Sequence, residues 1–219
     1  MTDDIRQRKA DHLDLCATDQ VAFRGQTTLL EQVRLVHQSL PELALDDLDL
    51  STELLGTTLR APLVIAAMTG GHERAEEINR TLAAVAERRG YAFGLGSQRA
   101  MLKRPESAST YRVRDVAPTT LVLGNVGVVQ ARDMSTAEVA RMVDAVGATA
   151  LCVHLNPAME LVQPEGDRDF RGCLAAIGRL VNELGVPVVA KETGNGLSRR
   201  TLAQLRYVGV RHVDTSGAG

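Results

Sequence analysis

The feature that most limits the possible folds is a repeat of short apolar runs, each followed by a helix-like stretch. Six runs have strand character, at residues 62–68, 92–97, 120–125, 150–156, 187–191 and 210–216. Their starts recur roughly every 25 to 35 residues, which is the size of one strand–helix–strand unit. Strands that alternate with helices predict a parallel sheet covered by helices. The expected fold class is therefore α/β.

Polar side chains cluster where these predicted strands end. They are Thr69, Ser97 with Arg99, Asn125, His154 with Asn156, Lys191 and Ser216. An open doubly wound sheet gathers ligands only near one switch point, whereas a (β/α)8 barrel builds its site from all the carboxyl ends of its strands. Six consecutive strand ends with site-like residues favour the (β/α)8 TIM barrel.

The fourth run has the clearest two-sided pattern. If residues 150–156 are extended, Cys152, His154 and Asn156 lie on one side, while Val153 and Leu155 lie on the other. The apolar side can face a helix layer, and the polar side brings an imidazole and an amide to the strand end, with Glu160 just beyond. This arrangement suits a small polar or anionic ligand and a hard cation. A strand followed by an ordinary polar loop is the competing interpretation.

The count of strands falls short of a closed barrel, which needs eight strands over typically about 250 residues. We expect a barrel that is truncated after strand six, with exposed edges at strands one and six that favour association. The division expected is residues 1–60 as an N-terminal arm and cap, and residues 61–219 as the partial barrel. Within the first part, Leu29, Val33, Val36 and Leu40 have helix-like spacing, and residues 43–59 alternate as an edge hairpin or cap would.

Charge and composition exclude several classes of function. The net charge of −2 gives no basic field for nucleic acid. No apolar run approaches the roughly 20 residues needed to cross a bilayer. The three cysteines, Cys16, Cys152 and Cys173, are odd in number and form no C-x-x-C motif, which argues against a disulfide framework. A cytoplasmic protein without nucleic-acid or membrane partners is expected.

Eight short motifs occur in one order along the chain. They are RKADHL at 8–13, AMTGG at 67–71, GSQR at 96–99, GN at 124–125, HLNP at 154–157, PEGDRDF at 164–170, VAKE at 189–192 and VDTSGAG at 213–219. Together they resemble the type 2 isopentenyl-diphosphate isomerases, FMN-dependent TIM barrels of isoprenoid synthesis. That resemblance implies interconversion of isopentenyl and dimethylallyl diphosphate, with reduced FMN, NADPH as its reductant, Mg2+ and a homo-oligomer, a tetramer in the family.

The resemblance also implies a set of site residues. The flavin contacts would be Ala67, Met68, Thr69, Ser97, Asn125, Lys191 and Ser216. The substrate contacts would be Arg8, Lys9, His12, Ser97, Gln98, Arg99, His154 and Asn156. Glu160 would bind Mg2+, which accepts one or two carboxylates with water and phosphate oxygens completing its shell.

One residue departs from the family pattern at the catalytic position. The family has Gln directly before the metal-binding Glu, and this chain has Met159, a weak acceptor that cannot donate a hydrogen bond. Two alternatives to the isomerase therefore stay open. One is another FMN barrel, such as a 2-hydroxyacid oxidase or a dehydrogenase. The other is an inactive, truncated paralogue.

Overall fold

The architecture is a six-stranded parallel sheet with helices packed against it, seen in a computed structural model that describes residues 10–11, 13–21 and 23–217. The strands hydrogen-bond in chain order. They are β3 (Val64–Ile65), β4 (Ala92–Gly94), β5 (Val122–Gly127), β6 (Ala150–Leu155), β7 (Val188–Glu192) and β8 (His212–Asp214). A separate antiparallel hairpin is formed by β1 (Thr52–Leu54) and β2 (Thr57–Leu59). The six predicted strands and their parallel order are confirmed.

Helices occupy the connections between the strands. They are α1 (Glu73–Arg89), α2 (Arg99–Lys103), α3 (Val128–Asp133), α4 (Thr136–Asp144), α5 (Pro157–Val162), α6 (Cys173–Glu183) and α7 (Arg199–Tyr207). Pro105–Tyr111 forms a 3-10 helix, in the stretch 106–116 where the sequence predicts a short helix closed by Pro118. The periodic pattern predicts α1, α4, α6 and α7 but misses α2, α3 and α5. Each of these three spans less than two turns, too few residues for a helical period to be recognised.

Two helix ends follow the local signals in the sequence. Gly90 ends α1 in a left-handed conformation with φ 67°, which costs glycine little because it has no β-carbon. Ser135 opens α4 with a reciprocal cap: its hydroxyl accepts from the Glu138 N–H, and the Glu138 carboxylate accepts from the Ser135 N–H.

The two faces of the sheet are buried by different partners. Side chains such as Phe93, Val122 and Val153 pack with the helices in the main core. The opposite face forms a second cluster, composed of Ala92, Leu121, Leu123, Ala150, Cys152 and Val189. Leu59 of the β1–β2 hairpin belongs to this second cluster and is 2% exposed. The hairpin thus covers the apolar part of the face whose strand ends carry the polar residues.

The N-terminal region contains one wrong prediction. The helix-like spacing from Leu29 to Leu40 gives no α-helix, only a 3-10 turn at Leu30–Gln32. Leu29, Val33, Val36 and Leu40 are all exposed, so no core surface selects the helical period. The pattern at 43–59, by contrast, does contain the expected hairpin.

Both edges of the parallel sheet are exposed. Leu63 and Val64 at the β3 edge are 50% and 43% exposed, and Val213 on β8 is 42% exposed. In a closed barrel every strand has two neighbours, and these side chains would be covered.

Within the described ranges, no helix is both long and apolar enough to span a bilayer.

Candidate functional site

The strand register aligns the polar residues at the carboxyl edge of the sheet. His154 on β6 pairs in register with Lys191 on β7, and Lys191 pairs with Asp214 on β8. On β5, Asn125 pairs with Cys152, one step below His154 on the same face. Because side chains alternate along a strand, these polar groups lie on the same face of the sheet as the second apolar cluster and follow it toward the strand ends. Imidazole, amide, ammonium and carboxylate groups therefore meet along one edge.

A cavity of about 530 Å3 lies at this edge, within the roughly 300–1,000 Å3 range of small-molecule sites. The predicted site residues that line it are Ala67, Met68, Ser97, Arg99, Asn125, His154, Asn156, Met159, Glu160 and Lys191. Asp11, Leu15, Gly96, Ala100, Gln130, Gln163 and Thr193 complete the lining. The structure thus brings together predicted site residues that are as many as 124 positions apart in sequence (67 to 191).

Several predicted site residues are not among the described lining of this cavity. Arg8, Lys9 and His12 fall outside the described residues. Thr69 is buried beside the cavity, and its Oγ1 has no hydrogen-bond partner among the residues that the structure describes. Ser216 lies next to Lys191 rather than in the cavity wall.

The Gln98 side chain is directed into the protein interior. It is 0% exposed, its Nε2 donates to the Met142 carbonyl at 3.0 Å, and its Oε1 accepts from the Asn125 N–H at 2.9 Å. Both ends of the amide are therefore bonded to backbone groups. The structure does not bring this side chain into contact with the cavity; it joins α4 to the end of β5.

Replacing Gln98 by Leu should lower the free energy of unfolding by about 2–6 kcal/mol, because two buried backbone groups lose their partners and each costs about 1–3 kcal/mol. Chemical denaturation measures this change. Gln204→Leu on the exposed face of α7 is the matched control and should change stability by less than about 0.5 kcal/mol. Equal stability of the two variants would contradict the internal role of Gln98.

The imidazole of His154 is oriented by its neighbour on β5. Its Nδ1 lies 2.7 Å from Asn125 Oδ1, and Asn125 is only 4% exposed. An amide oxygen only accepts hydrogen bonds, so Nδ1 carries the proton in this pair. His154 Nε2 lies on the Gln130 side of the cavity. A β-carbon built on Gly127 would be 3.0 Å from His154 Nε2 and 2.1 Å from Gln130 Oε1, so both atoms lie next to Gly127.

Glu160 is a buried carboxylate in the first turn of α5, 6% exposed. One oxygen accepts from Asn156 Nδ2 at 2.9 Å, and the other accepts from the Asp167 N–H at 2.9 Å. An ionised carboxylate offers about four acceptor positions, so it can still bind a cation. No group of three or more His, Cys, Asp or Glu side chains able to hold a metal occurs within the described part of the chain. The residues fit a hard cation that takes one protein carboxylate and completes its shell with water and phosphate oxygens.

Lys191 is a largely buried cation, with 13% of its side chain exposed. Its Nζ donates to Ser216 Oγ at 2.8 Å and lies 3.2 Å from Asp214 Oδ2. The Ser216 hydroxyl and N–H both donate to Asp214 Oδ1, at 2.7 and 3.0 Å. Both donors of Ser216, its hydroxyl and its N–H, therefore bind the Asp214 carboxylate. A phosphate would have to displace that carboxylate to use them.

The thiol of Cys152 contributes no nucleophile to this site. Burial raises the pKa of Cys152 to about 12, and the positive charge of Lys191 offsets that rise only in part. Near neutral pH the group is a protonated thiol, and only a thiolate attacks carbon or binds metal well.

The residues also fit a flat aromatic cofactor. Ala67 and Gly96 give the cavity a wall of small side chains, and a β-carbon on Gly96 would lie 2.5 Å from the Thr69 carbonyl. Thr69 Oγ1, which has no hydrogen-bond partner within the described part of the chain, lies beside this wall, and the Lys191 side chain lines the same cavity. Small residues permit close approach to a ring, and a cation stabilises an electron-rich one.

A larger cavity of about 710 Å3 lies between α1 and the 3-10 helix Pro105–Tyr111. Its charged lining has four carboxylates (Glu73, Glu76, Glu77 and Glu106) against two guanidinium groups (Arg80 and Arg104), which leaves it net acidic. None of the strand-end residues takes part in it, and an acidic wall repels a diphosphate. The strand-end cavity is therefore the candidate site.

Sequence reasoning missed Gln130 and Thr193 in the cavity lining. Gln130 lies on the short helix α3, directly after the polar end of β5, and Thr193 follows Lys191. The signal that could have found both is their place immediately after a strand end, since loops there build the active site of a barrel.

Comparison with known proteins shows one matching family model and several similar curated proteins. A family model described as FMN-dependent dehydrogenase matches residues 1–172. An isopentenyl-diphosphate delta-isomerase of Synechococcus sp. is 50% identical over 216 residues, covering 98% of this chain and 62% of the relative. Proteins of the same name from Aeropyrum pernix and Cronobacter sakazakii are 47% and 48% identical, and 59% and 63% of their lengths are covered.

A solved mandelate oxidase variant with a monooxide FMN adduct has a related fold. It aligns with a TM-score of 0.54 at 13% identity, covering 78% of this chain and 51% of that structure. At this identity the likeness concerns the fold alone. The chain spans about three fifths of the length of the curated relatives that it matches.

Proposed function

Because this chain belongs to the FMN-dependent dehydrogenase family, and its curated relatives are isomerases, we propose that it acts as an isopentenyl-diphosphate delta-isomerase. The relatives that are 43–50% identical over nearly the whole chain confirm the resemblance indicated by the ordered motifs. The observation that carries the proposal is the single cavity in which Lys191, His154, Arg99 and Glu160 meet.

The proposed reaction moves one double bond without net redox. A proton leaves C2 of isopentenyl diphosphate while another is delivered to the terminal alkene carbon, which gives dimethylallyl diphosphate. Reduced FMN, when bound, supplies acid–base chemistry next to the isoprene unit. The apolar side chains of Met68 and Met159 both line the cavity and suit contact with the hydrocarbon part. Met159 cannot itself donate a proton.

The charged end of the cavity suits the diphosphate. Arg99 would bind phosphate oxygens by charge-assisted hydrogen bonds, and His154 and Asn156 would add polar contacts. Glu160 would hold Mg2+ between its carboxylate and the diphosphate. The chain's own carboxylate is already oriented for this by Asn156 and the Asp167 N–H.

Ala67, Met68, Thr69 and Ser97 would hold FMN together with Lys191, which lines the same cavity. The ammonium of Lys191 favours an anionic reduced ring. Asn125 holds His154 and would reach the cofactor from the sheet. NADPH is the proposed reductant. We also propose, from the resemblance to the type 2 isomerases, a homo-oligomer that works in the cytoplasm.

Replacing Lys191 by Met should weaken FMN binding by about tenfold or more, because the Asp214 carboxylate loses its cation and faces an anionic ligand; tenfold corresponds to about 1.4 kcal/mol. Quenching of flavin fluorescence during titration measures the dissociation constant. Lys103→Met, an exposed lysine at the end of α2, is the control and should bind as the unchanged chain does. Equal affinities in both variants would remove Lys191 from the flavin site.

The proposed function is tested by incubating the protein with isopentenyl diphosphate, FMN, NADPH and Mg2+ and following the methyl signals of dimethylallyl diphosphate by NMR. Formation of this product, dependent on prior flavin reduction, is the expected result. Bound, reduced flavin with no product would contradict the isomerase. Bleaching of oxidised flavin by a 2-hydroxy acid would instead favour the oxidoreductase alternative.

A further inference from the structure

Gln130 links two of the chain segments that surround the strand-end cavity. It lies on α3, which starts directly after β5, and its side chain is half-buried in the cavity wall. Its Nε2 donates to Asp167 Oδ2 at 2.8 Å. Asp167 comes from the loop after α5, so this contact joins two loops that are 37 residues apart in sequence.

The space that the Gln130 amide occupies exists because residue 127 is glycine. A β-carbon at Gly127 would lie 2.1 Å from Gln130 Oε1 and 3.0 Å from His154 Nε2. The backbone of Gly127 has φ −70°, which any residue adopts. Glycine at 127 therefore leaves room for the Gln130 amide in this position, and a larger residue would make that flexible side chain shift.

Asp167 lies beside both charged groups of the proposed diphosphate site. Its N–H donates to Glu160 Oε2 at 2.9 Å, and its Oδ2 lies 4.0 Å from the Arg99 Nη1. A charge-assisted hydrogen bond between such groups is normally about 2.7–2.9 Å long. The Asp167 carboxylate is thus near Arg99 but stops short of a close pair with it, while it makes its close contact with Gln130.

We propose that Gln130 is a positioning residue, which holds the Asp167 carboxylate away from Arg99 and so leaves that guanidinium available for a diphosphate. Among the described residues, Arg99 is the cation within 4.0 Å of the Asp167 carboxylate, and it is the donor that Asp167 would take without the amide. A close Arg99–Asp167 pair would cancel the charge that attracts the anion. The inference rests on the proposed diphosphate site, whose substrate it explains further.

The test is calorimetric titration of the full chain with pyrophosphate in excess Mg2+. Gln130→Met removes the donor and keeps a side chain of similar length. It should bind about tenfold more weakly, in line with the roughly 10–100-fold effects of changes one shell beyond a ligand. Gln130→Ala gives a second variant if the methionine disturbs folding, and Gln204→Ala on α7 is the control.

A second substitution separates positioning from a loss of structure. Asp167→Asn has no charge to neutralise Arg99 and keeps the backbone N–H that binds Glu160. In the Gln130→Met background it should therefore restore the affinity, and alone it should bind at least as well as the unchanged chain. Simple damage to the loop would not be rescued in this way.

Three outcomes decide the inference. Weakening by Gln130→Met with rescue by Asp167→Asn supports it. Unchanged affinity, or weakening without rescue, overturns it and leaves the proposed function standing. No pyrophosphate binding by the unchanged chain overturns it together with the proposed diphosphate site.

Discussion

Replacing Glu160 by Gln should weaken the binding of magnesium pyrophosphate by more than about 100-fold, since even changes one shell beyond a metal ligand cost about 10–100-fold. Glu160 is the buried carboxylate of the cavity, and Asn156 and the Asp167 N–H fix its two oxygens. The amide of glutamine has nearly the same shape but no charge for Mg2+. Calorimetry with pyrophosphate, at fixed excess Mg2+, measures the loss.

The matched control is Glu165→Gln. Glu165 lies on the same stretch of chain and is exposed, so this change removes the same charge without touching the cavity. It should alter the affinity less than about twofold, as expected for an exposed charge in screening solvent. Equal weakening by the two substitutions would mean that general charge, and not a metal contact, explains the binding.

Replacing Glu192 by Ala should remove at least about 3 kcal/mol from the free energy of unfolding. Glu192 is 5% exposed, and its Oε2 accepts from the N–H groups of Gly194, Asn195 and Gly196 at 2.7, 2.6 and 2.8 Å. Hydrogen bonds to a charged group contribute about 1.5–3 kcal/mol each, and water replaces part of that where the loop is exposed. Urea denaturation measures the change.

Two further variants define the cause of this loss. Glu192→Gln keeps one acceptor oxygen without the charge and should lose about half as much stability. Asn195→Ala keeps the backbone N–H that Glu192 accepts and should change stability by less than about 0.5 kcal/mol, because the Asn195 side chain is exposed. A loss of less than 1 kcal/mol in Glu192→Ala would contradict the role of the three amides.

Sequence periodicity predicts much of the fold because burial imposes it. The inner strands β4 to β7 pack against helices on one face, and the apolar runs mark all six strands of the sheet. Alternation along β6 also places Cys152 and His154 on one face and Val153 on the other, as the two core clusters show. The same logic fails at Leu29–Leu40, where the side chains are exposed and no buried surface enforces a period.

The candidate site is predictable in position but not in its internal bonding. The strand-end rule places Asn125, His154 and Lys191 at one edge, and the register aligns them there. Hydrogen bonding by contrast depends on where short helices and loops return to the sheet. Spacing does not predict that the Gln98 side chain points inward, because its amide bonds the carbonyl of Met142, 44 positions away. It does not predict the Gln130–Asp167 contact either, which joins residues 37 positions apart.

Glu192 shows the same limit. Lys191 is visible in the sequence as a strand-end cation, whereas its neighbour resembles an ordinary surface acid. Only the turn at Gly194 and Gly196, with φ 142° and 84°, brings three N–H groups back to its carboxylate. These bonds fix the end of β7, where Lys191 Nζ donates to the Glu192 carbonyl at 2.9 Å.

The central claim is that one cavity holds both a flat flavin ring and a metal-bound diphosphate at the carboxyl edge of the sheet. A crystal structure of the protein with FMN, Mg2+ and pyrophosphate tests this most directly. The expected density places the ring between Ala67 and Lys191 and the pyrophosphate between Arg99 and Glu160. Density for either ligand in the acidic cavity between α1 and the 3-10 helix, with the strand-end cavity left to solvent, would contradict the claim.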